Sequence, residues 1–172
     1  MSSNGPKSWR WKLTEQRRPR PPAKFEDLIV DLSKGVPFGT ARPKAEVMLF
    51  AAAIGYAFQR RQPLAGPGNG VRWSIFEDIE GDAFIRSLAL ATAGDITAID
   101  PDSEEDDVVT VFEEYAAGGL EYLSENVVKG GVDQLDDLLE VMQQVRLASR
   151  KVPAGLDGFD PSTLELIGDI DD

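Results

Sequence analysis

The sequence predicts an all-α protein: one helical domain of about five helices around a buried central helix, with flexible N- and C-terminal tails. Three observations predict it. Between Val47 and Phe58 no residue is charged and no clean polar face forms. A soluble segment that is apolar on every side is a helix inside a core, and this one falls short of the roughly 20 apolar residues of a membrane span. Elsewhere the apolar residues recur at intervals of three and four, the helical period. Between these stretches glycines and prolines supply stop signals, while alternation of the strand type is confined to one short stretch, 71–76.

Residues 1–23 form a disordered basic arm, held extended by its prolines. Lys7, Arg10, Lys12, Arg17, Arg18 and Arg20 alternate there with Trp9 and Trp11. Cations interleaved with aromatics suit phosphate neutralisation and base stacking; packing of the tryptophans on the domain is the other outcome. A first helix spans 23–34, with Phe25, Leu28, Ile29 and Leu32 on one stripe. Gly35 and then Pro37 stop it. The central helix covers 42–60, with Thr40 or Ala41 near its cap and Pro43 in its first turn.

Residues 61–70 are a Gly- and Pro-rich loop. Its glycines lack the Lys-Ser or Lys-Thr of a P-loop and any surrounding βαβ pattern, so neither a phosphate cradle nor a dinucleotide fingerprint is present. Residues 71–76 are expected to be an extended segment that lays Trp73 and Phe76 on the core. A third helix spans 82–92, with Asp82 as N-cap and Gly94 as stop. The acidic run 100–107 fails as a calcium loop, because Glu105 stands where glycine is needed and Val111 where a bidentate glutamate is needed. It serves better as a capped, negatively charged start for a helix over 104–128. Gly118 and Gly119 inside that helix indicate either a kink or the close approach of another backbone, the central helix foremost. After Gly130 and Gly131, a last helix over 132–149 places Leu135, Leu138, Leu139, Met142 and Val145 on one face. The domain therefore covers 24–149, and 150–172 is an acidic tail. Its Leu164, Leu166, Ile167 and Ile170 suit a segment that folds on a partner, docks on its own domain or stays disordered.

The net charge is −12, divided unevenly. Residues 1–76 carry 13 Lys and Arg against 5 Asp and Glu, a net +8; residues 77–172 carry 5 against 25, a net −20. This division fits either a generally acidic solvated surface or a bipolar molecule with one side for phosphate or an acidic partner. There is no Cys and no His, which excludes disulfides, thiolate chemistry, imidazole bases, Ser-His-Asp triads and HExxH zinc sites. No cofactor is expected. The N-terminus lacks the apolar stretch of a signal peptide, so a cytoplasmic location is the expectation.

Three pieces of the chain resemble a known family. They are 37–56, from Pro37-Phe38-Gly39-Thr40 to Ile54-Gly55-Tyr56; 71–76, Val-Arg-Trp-Ser-Ile-Phe; and 88–95 taken with 111–120. In order and spacing they are similar to the accessory family encoded beside DNA phosphorothioation genes, the Dnd-system associated proteins, over about residues 24–145. The resemblance implies a role in a sulfur-based DNA modification and restriction system used in phage defence. Its partners would be the modification enzymes or the ATPase-type restriction components, with double-stranded DNA as a further candidate. The family supplies no catalytic motif that maps onto this sequence.

The function expected is thus a non-enzymatic accessory protein that binds partner proteins and, through a basic N-terminal half, the DNA backbone. Arg17, Arg18 and Arg20 in the arm, with Arg42, Lys44, Arg60, Arg61 and Arg72, are the candidate contacts. The alternative is a metal-dependent DNA nickase or nuclease with Asp and Glu ligands, but no Asp…Glu-x-Lys pattern falls on a strand pair. A third reading has the acidic C-terminal part imitating nucleic acid toward a basic partner.

Overall fold

The computed structural model describes residues 18–34, 43–94, 108–127 and 133–149, and among these it is helical with no strand. A 3-10 turn, Ala23–Phe25, leads into α1, Glu26–Ser33. There follow α2, Pro43–Ala57; α3, Trp73–Asp78; α4, Gly81–Ala93; α5, Val108–Asn126; and α6, Asp133–Ser149. No helix among the described residues is long and apolar enough to cross a membrane.

The central helix is α2. Ala45, Val47, Met48, Ala51, Ala52 and Ile54 are all buried, and they point in several directions around its axis. Its main neighbour is α5, and the two meet main chain to main chain. A Cβ placed on Gly119 would overlap the carbonyl of Ala51, one on Gly118 the carbonyl of Arg60, and one on Gly55 the carbonyl of Tyr115. Gly119 thus marks a close approach to α2 and Gly118 one to the turn that follows it, and α5 runs through both without interruption.

Buried side chains form two clusters on either side of this pair. In the first, Met48 and Ala52 of α2 join Trp73 and Phe76 of α3, Ile85 and Leu88 of α4, and Phe112 of α5. Phe76 and Phe112 meet edge to face with centroids 5.6 Å apart, a favoured aromatic geometry. The Trp73 Nε1 is buried without a hydrogen-bond partner among the described residues. In the second, Val47, Ala51 and Ile54 of α2 join the α1 stripe, Leu120 and Leu123 of α5, and Leu138 and Val141 of α6. Phe58 stacks on Tyr122 at its edge, with centroids 4.5 Å apart. The α1 stripe of Phe25, Leu28, Ile29 and Leu32 is buried as its spacing predicts.

Several elements differ from expectation. The 71–76 segment is not extended throughout: Arg72 is the last extended residue and α3 begins at Trp73. Trp73 and Phe76 do reach the core, because three residues apart on a helix place them on one face. The central helix ends at Ala57 instead of continuing to residue 60. The Arg60 N–H bonds back to the Gly55 carbonyl at 2.7 Å and the Gln59 N–H to Tyr56 at 3.0 Å, with Gln59 left-handed at φ 54°. That is the Schellman arrangement, with a glutamine in the seat that glycine usually takes. At α4 the N-cap is Glu80, also left-handed at φ 57°, and Asp82 lies inside the first turn, where it pairs with Arg86 at 3.5 Å. Gly94 ends α4 at φ 72°, its N–H bonded to the Leu90 carbonyl, as expected.

The last helix buries a different face from the one its leucines suggest. Leu138 and Val141 are buried and Val145 packs beside them, while Leu135, Leu139 and Met142 are 42%, 47% and 47% exposed. Pro19, Pro21 and Pro22, expected in the arm, are buried. The rest of the arm (1–17), the α1 stop at Gly35 and Pro37, the cap near Thr40, the acidic run 100–107, the Gly130–Gly131 break and the tail 150–172 lie outside the described residues.

Candidate functional site

Four of the candidate cations gather where the chain entering α1 meets the loop after α2. Prolines at 19, 21 and 22 fix φ and hold that entering strand of chain extended. It lies antiparallel to the loop: the Ala23 N–H bonds to the Gly66 carbonyl (2.8 Å), the Gly68 N–H to Pro21 (2.8 Å) and the Val71 N–H to Pro19 (2.9 Å). Pro22 and Pro67 form the bridge at its centre. Proline lacks an N–H, so every one of these bonds is donated by a residue other than proline. Gly70 permits the close contact, because a Cβ there would sit 2.7 Å from the Cβ of Arg18.

This ladder carries four of the candidates. Arg18 and Arg20 flank Pro19, and Arg72 follows its partner Val71. Lys44, at the start of α2, donates its Nζ to the Asn69 carbonyl at 2.7 Å. Arg60 and Arg61 leave the end of α2 and cross α5. Arg61 Nε donates to Glu114 at 2.6 Å, and Arg60 Nη1 donates to Glu125 at 2.9 Å while its guanidinium lies over the Tyr122 ring. Arg17 and Arg42 lie outside the described residues.

Most of these charges are already met by carboxylates. Glu113 is buried on α5 and accepts the Arg20 backbone N–H at 2.8 Å, with the Arg20 Nε 3.5 Å away. Lys44 pairs with Glu26 at 3.5 Å, and Lys24 with Glu121 at the same distance. Glu26 also accepts the Asn69 N–H at 2.7 Å. That backbone bond, with Lys44 assisting, holds the Glu26 carboxyl below its ordinary pKa against some desolvation. Glu121 is lowered likewise, first by the Gln62 side-chain amide that donates to it and then by Lys24. The division of charge along the sequence therefore does not become two separate faces here: carboxylates of α5 neutralise cations from the N-terminal half. Arg18 and Arg72 differ, being exposed with no ion-pair partner among the described residues.

Sequence reasoning found the cations but not Glu113, Glu114, Glu26 or Asn69. A signal for Glu113 and Glu114 did exist, as the two charges inside the otherwise largely apolar stretch from Val108 to Gly119. No group of three carboxylates converges as a metal site would require among the described residues.

A family model described as DNA sulphur modification system-associated protein 4 matches residues 18–157. The chain belongs to that family. The match begins at the first residue of the proline ladder and runs past α6, wider at both ends than the resemblance visible in the motifs. The chain matches no curated protein and no solved structure. Its family is associated with DNA sulphur modification systems.

Proposed function

We propose that this protein is a non-catalytic accessory component of a DNA sulphur modification system that binds another protein of the system and contacts the DNA backbone through the proline ladder. The observation that supports the DNA contact is the gathering of Arg18, Arg20, Lys44 and Arg72 on one ladder, with Arg18 and Arg72 free of carboxylates among the described residues. Exposed cations held on a fixed backbone are what phosphate positioning uses, and they carry no base specificity. Arg60 and Arg61, engaged with Glu125 and Glu114, brace the loop instead. The acids beneath the ladder weaken the contact, and its reliance on phosphate neutralisation makes it fall with added salt.

Duplex binding followed by fluorescence anisotropy at low and physiological salt tests this. The wild-type protein should bind at low salt, and Arg18→Glu with Arg72→Glu should weaken binding at least tenfold. With two phosphate contacts gone, the slope of log affinity against log salt should shrink by about 2. Absence of duplex binding at low salt would remove the DNA part of the proposal. Co-purification with the modification proteins then tests the protein-binding part by itself.

A further inference from the structure

Helix α6 buries Leu138 and Val141 against the domain and turns a second apolar line outward. Leu135, Leu139 and Met142 are 42%, 47% and 47% exposed, at spacings of four and three, and Arg146 continues the series four residues on. Alternating steps of four and three place side chains along one seam of a helix, the spacing by which two helices pair. Such a seam on the surface offers a second helix a place to pack.

The charges beside the seam identify that partner. Asp136 stands near its N-terminal end and Arg146 near its C-terminal end; both are exposed, and neither has an ion-pair partner among the described residues. A helix with an acid at one end of its seam and a base at the other complements an antiparallel copy of itself. With the two-fold axis passing between Leu139 and Met142, Leu139 of one copy meets Met142 of the other. Leu135 then lies along the aliphatic stem of the opposite Arg146, and Asp136 comes beside the same guanidinium. Both ends of the contact are satisfied twice by one rule, which is the property of an isologous interface.

We infer that this protein self-associates through α6, as an antiparallel two-fold dimer seated on Leu135, Leu139 and Met142 and aligned by Asp136 and Arg146. Three apolar side chains per copy make a small contact beside the roughly 800 Å² per partner of a standard interface, so the dimer is weak and concentration-dependent.

Sedimentation equilibrium of the full chain, from micromolar to near-millimolar concentration, tests it. The wild type should show a monomer–dimer equilibrium. Leu139→Glu should weaken association at least tenfold while leaving the circular dichroism unchanged, since the residue is half-exposed. Asp136→Arg alone and Arg146→Asp alone should each weaken it, and the two together should restore it. A strictly monomeric wild type overturns the inference and leaves the face to the chain's own C-terminal segment or to another protein. So does a dimer indifferent to Leu139→Glu, or a double charge exchange that fails to restore pairing.

Discussion

Gly119 sits mid-helix, where alanine ordinarily gains about 1 kcal/mol over glycine. Here the sign reverses, because the added Cβ would overlap the Ala51 carbonyl, and a carbonyl inside a helix cannot swing aside as a flexible side chain would. Gly119→Ala is expected to cost about 1–3 kcal/mol or more, as overpacking does, read as an earlier urea midpoint at an unchanged slope. Gly94 supplies the contrast. Nothing lies within 4 Å of a Cβ there, so alanine would meet only the left-handed backbone, at φ 72°, and no neighbour. A Gly119→Ala protein as stable as wild type would mean that the two helices do not touch through their main chains. Glu113 shows the opposite economy: a buried charge is tolerated because the Arg20 backbone and guanidinium both answer it.

At the scale of elements, the proline ladder is fastened by carboxylates whose pKa values are lowered, which ties it to pH. A carboxyl with a folded pKa below its unfolded one contributes stability above the ordinary glutamate range, about 4.3, and loses it as pH falls through the folded value. Glu26 holds the Asn69 N–H and Lys44, and Glu121 holds Gln62 and Lys24, so the loop between α2 and α3 should loosen first in acid. The amide-exchange protection of Asn69 should fall severalfold between pH 6 and pH 3, while amides in the middle of α5 keep theirs. Glu26→Gln should flatten that dependence; equal Asn69 protection in the wild type at both pH values would refute the coupling. The same loop shows what sequence conveys and what it does not. The α1 stripe, the stop at Gly94 and the glycine pair of α5 are legible because each is written in local chemistry. The end of α2 is not, because a glutamine fills the left-handed seat and no glycine announces the turn. Helix α3 hides behind six residues that alternate like a strand although Trp73 and Phe76 share a helical face. The leucines of α6 disclose a period but not which side the rest of the chain will cover. Of the site, the cations are visible in the sequence; their partners, Glu113, Glu114 and Glu125, stand 93, 53 and 65 positions away, beyond any local pattern.

For the whole molecule, the decisive feature is that both hydrophobic clusters share α2 and α5. Neither cluster can come apart without freeing a face of that pair, so the domain should unfold in one cooperative transition. Phe112→Ala in the first cluster and Leu123→Ala in the second should each cost about 2–5 kcal/mol and displace the same transition. With Trp9 and Trp11 changed to Phe, the fluorescence of Trp73 in the first cluster and far-ultraviolet circular dichroism, summed over all helices, should superimpose on heating. Two separable transitions would contradict the shared pair. The junction at the centre also carries an entropic consequence. Where Gly55, Gly118 and Gly119 face the main chain of Ala51, Tyr115 and Arg60, the glycines have no rotamers to freeze, and glycine and alanine lose essentially no side-chain freedom on burial. Rigidity at the middle of this protein thus comes from atoms that had little side-chain disorder to surrender, whereas every leucine at its periphery gives some up to join the fold.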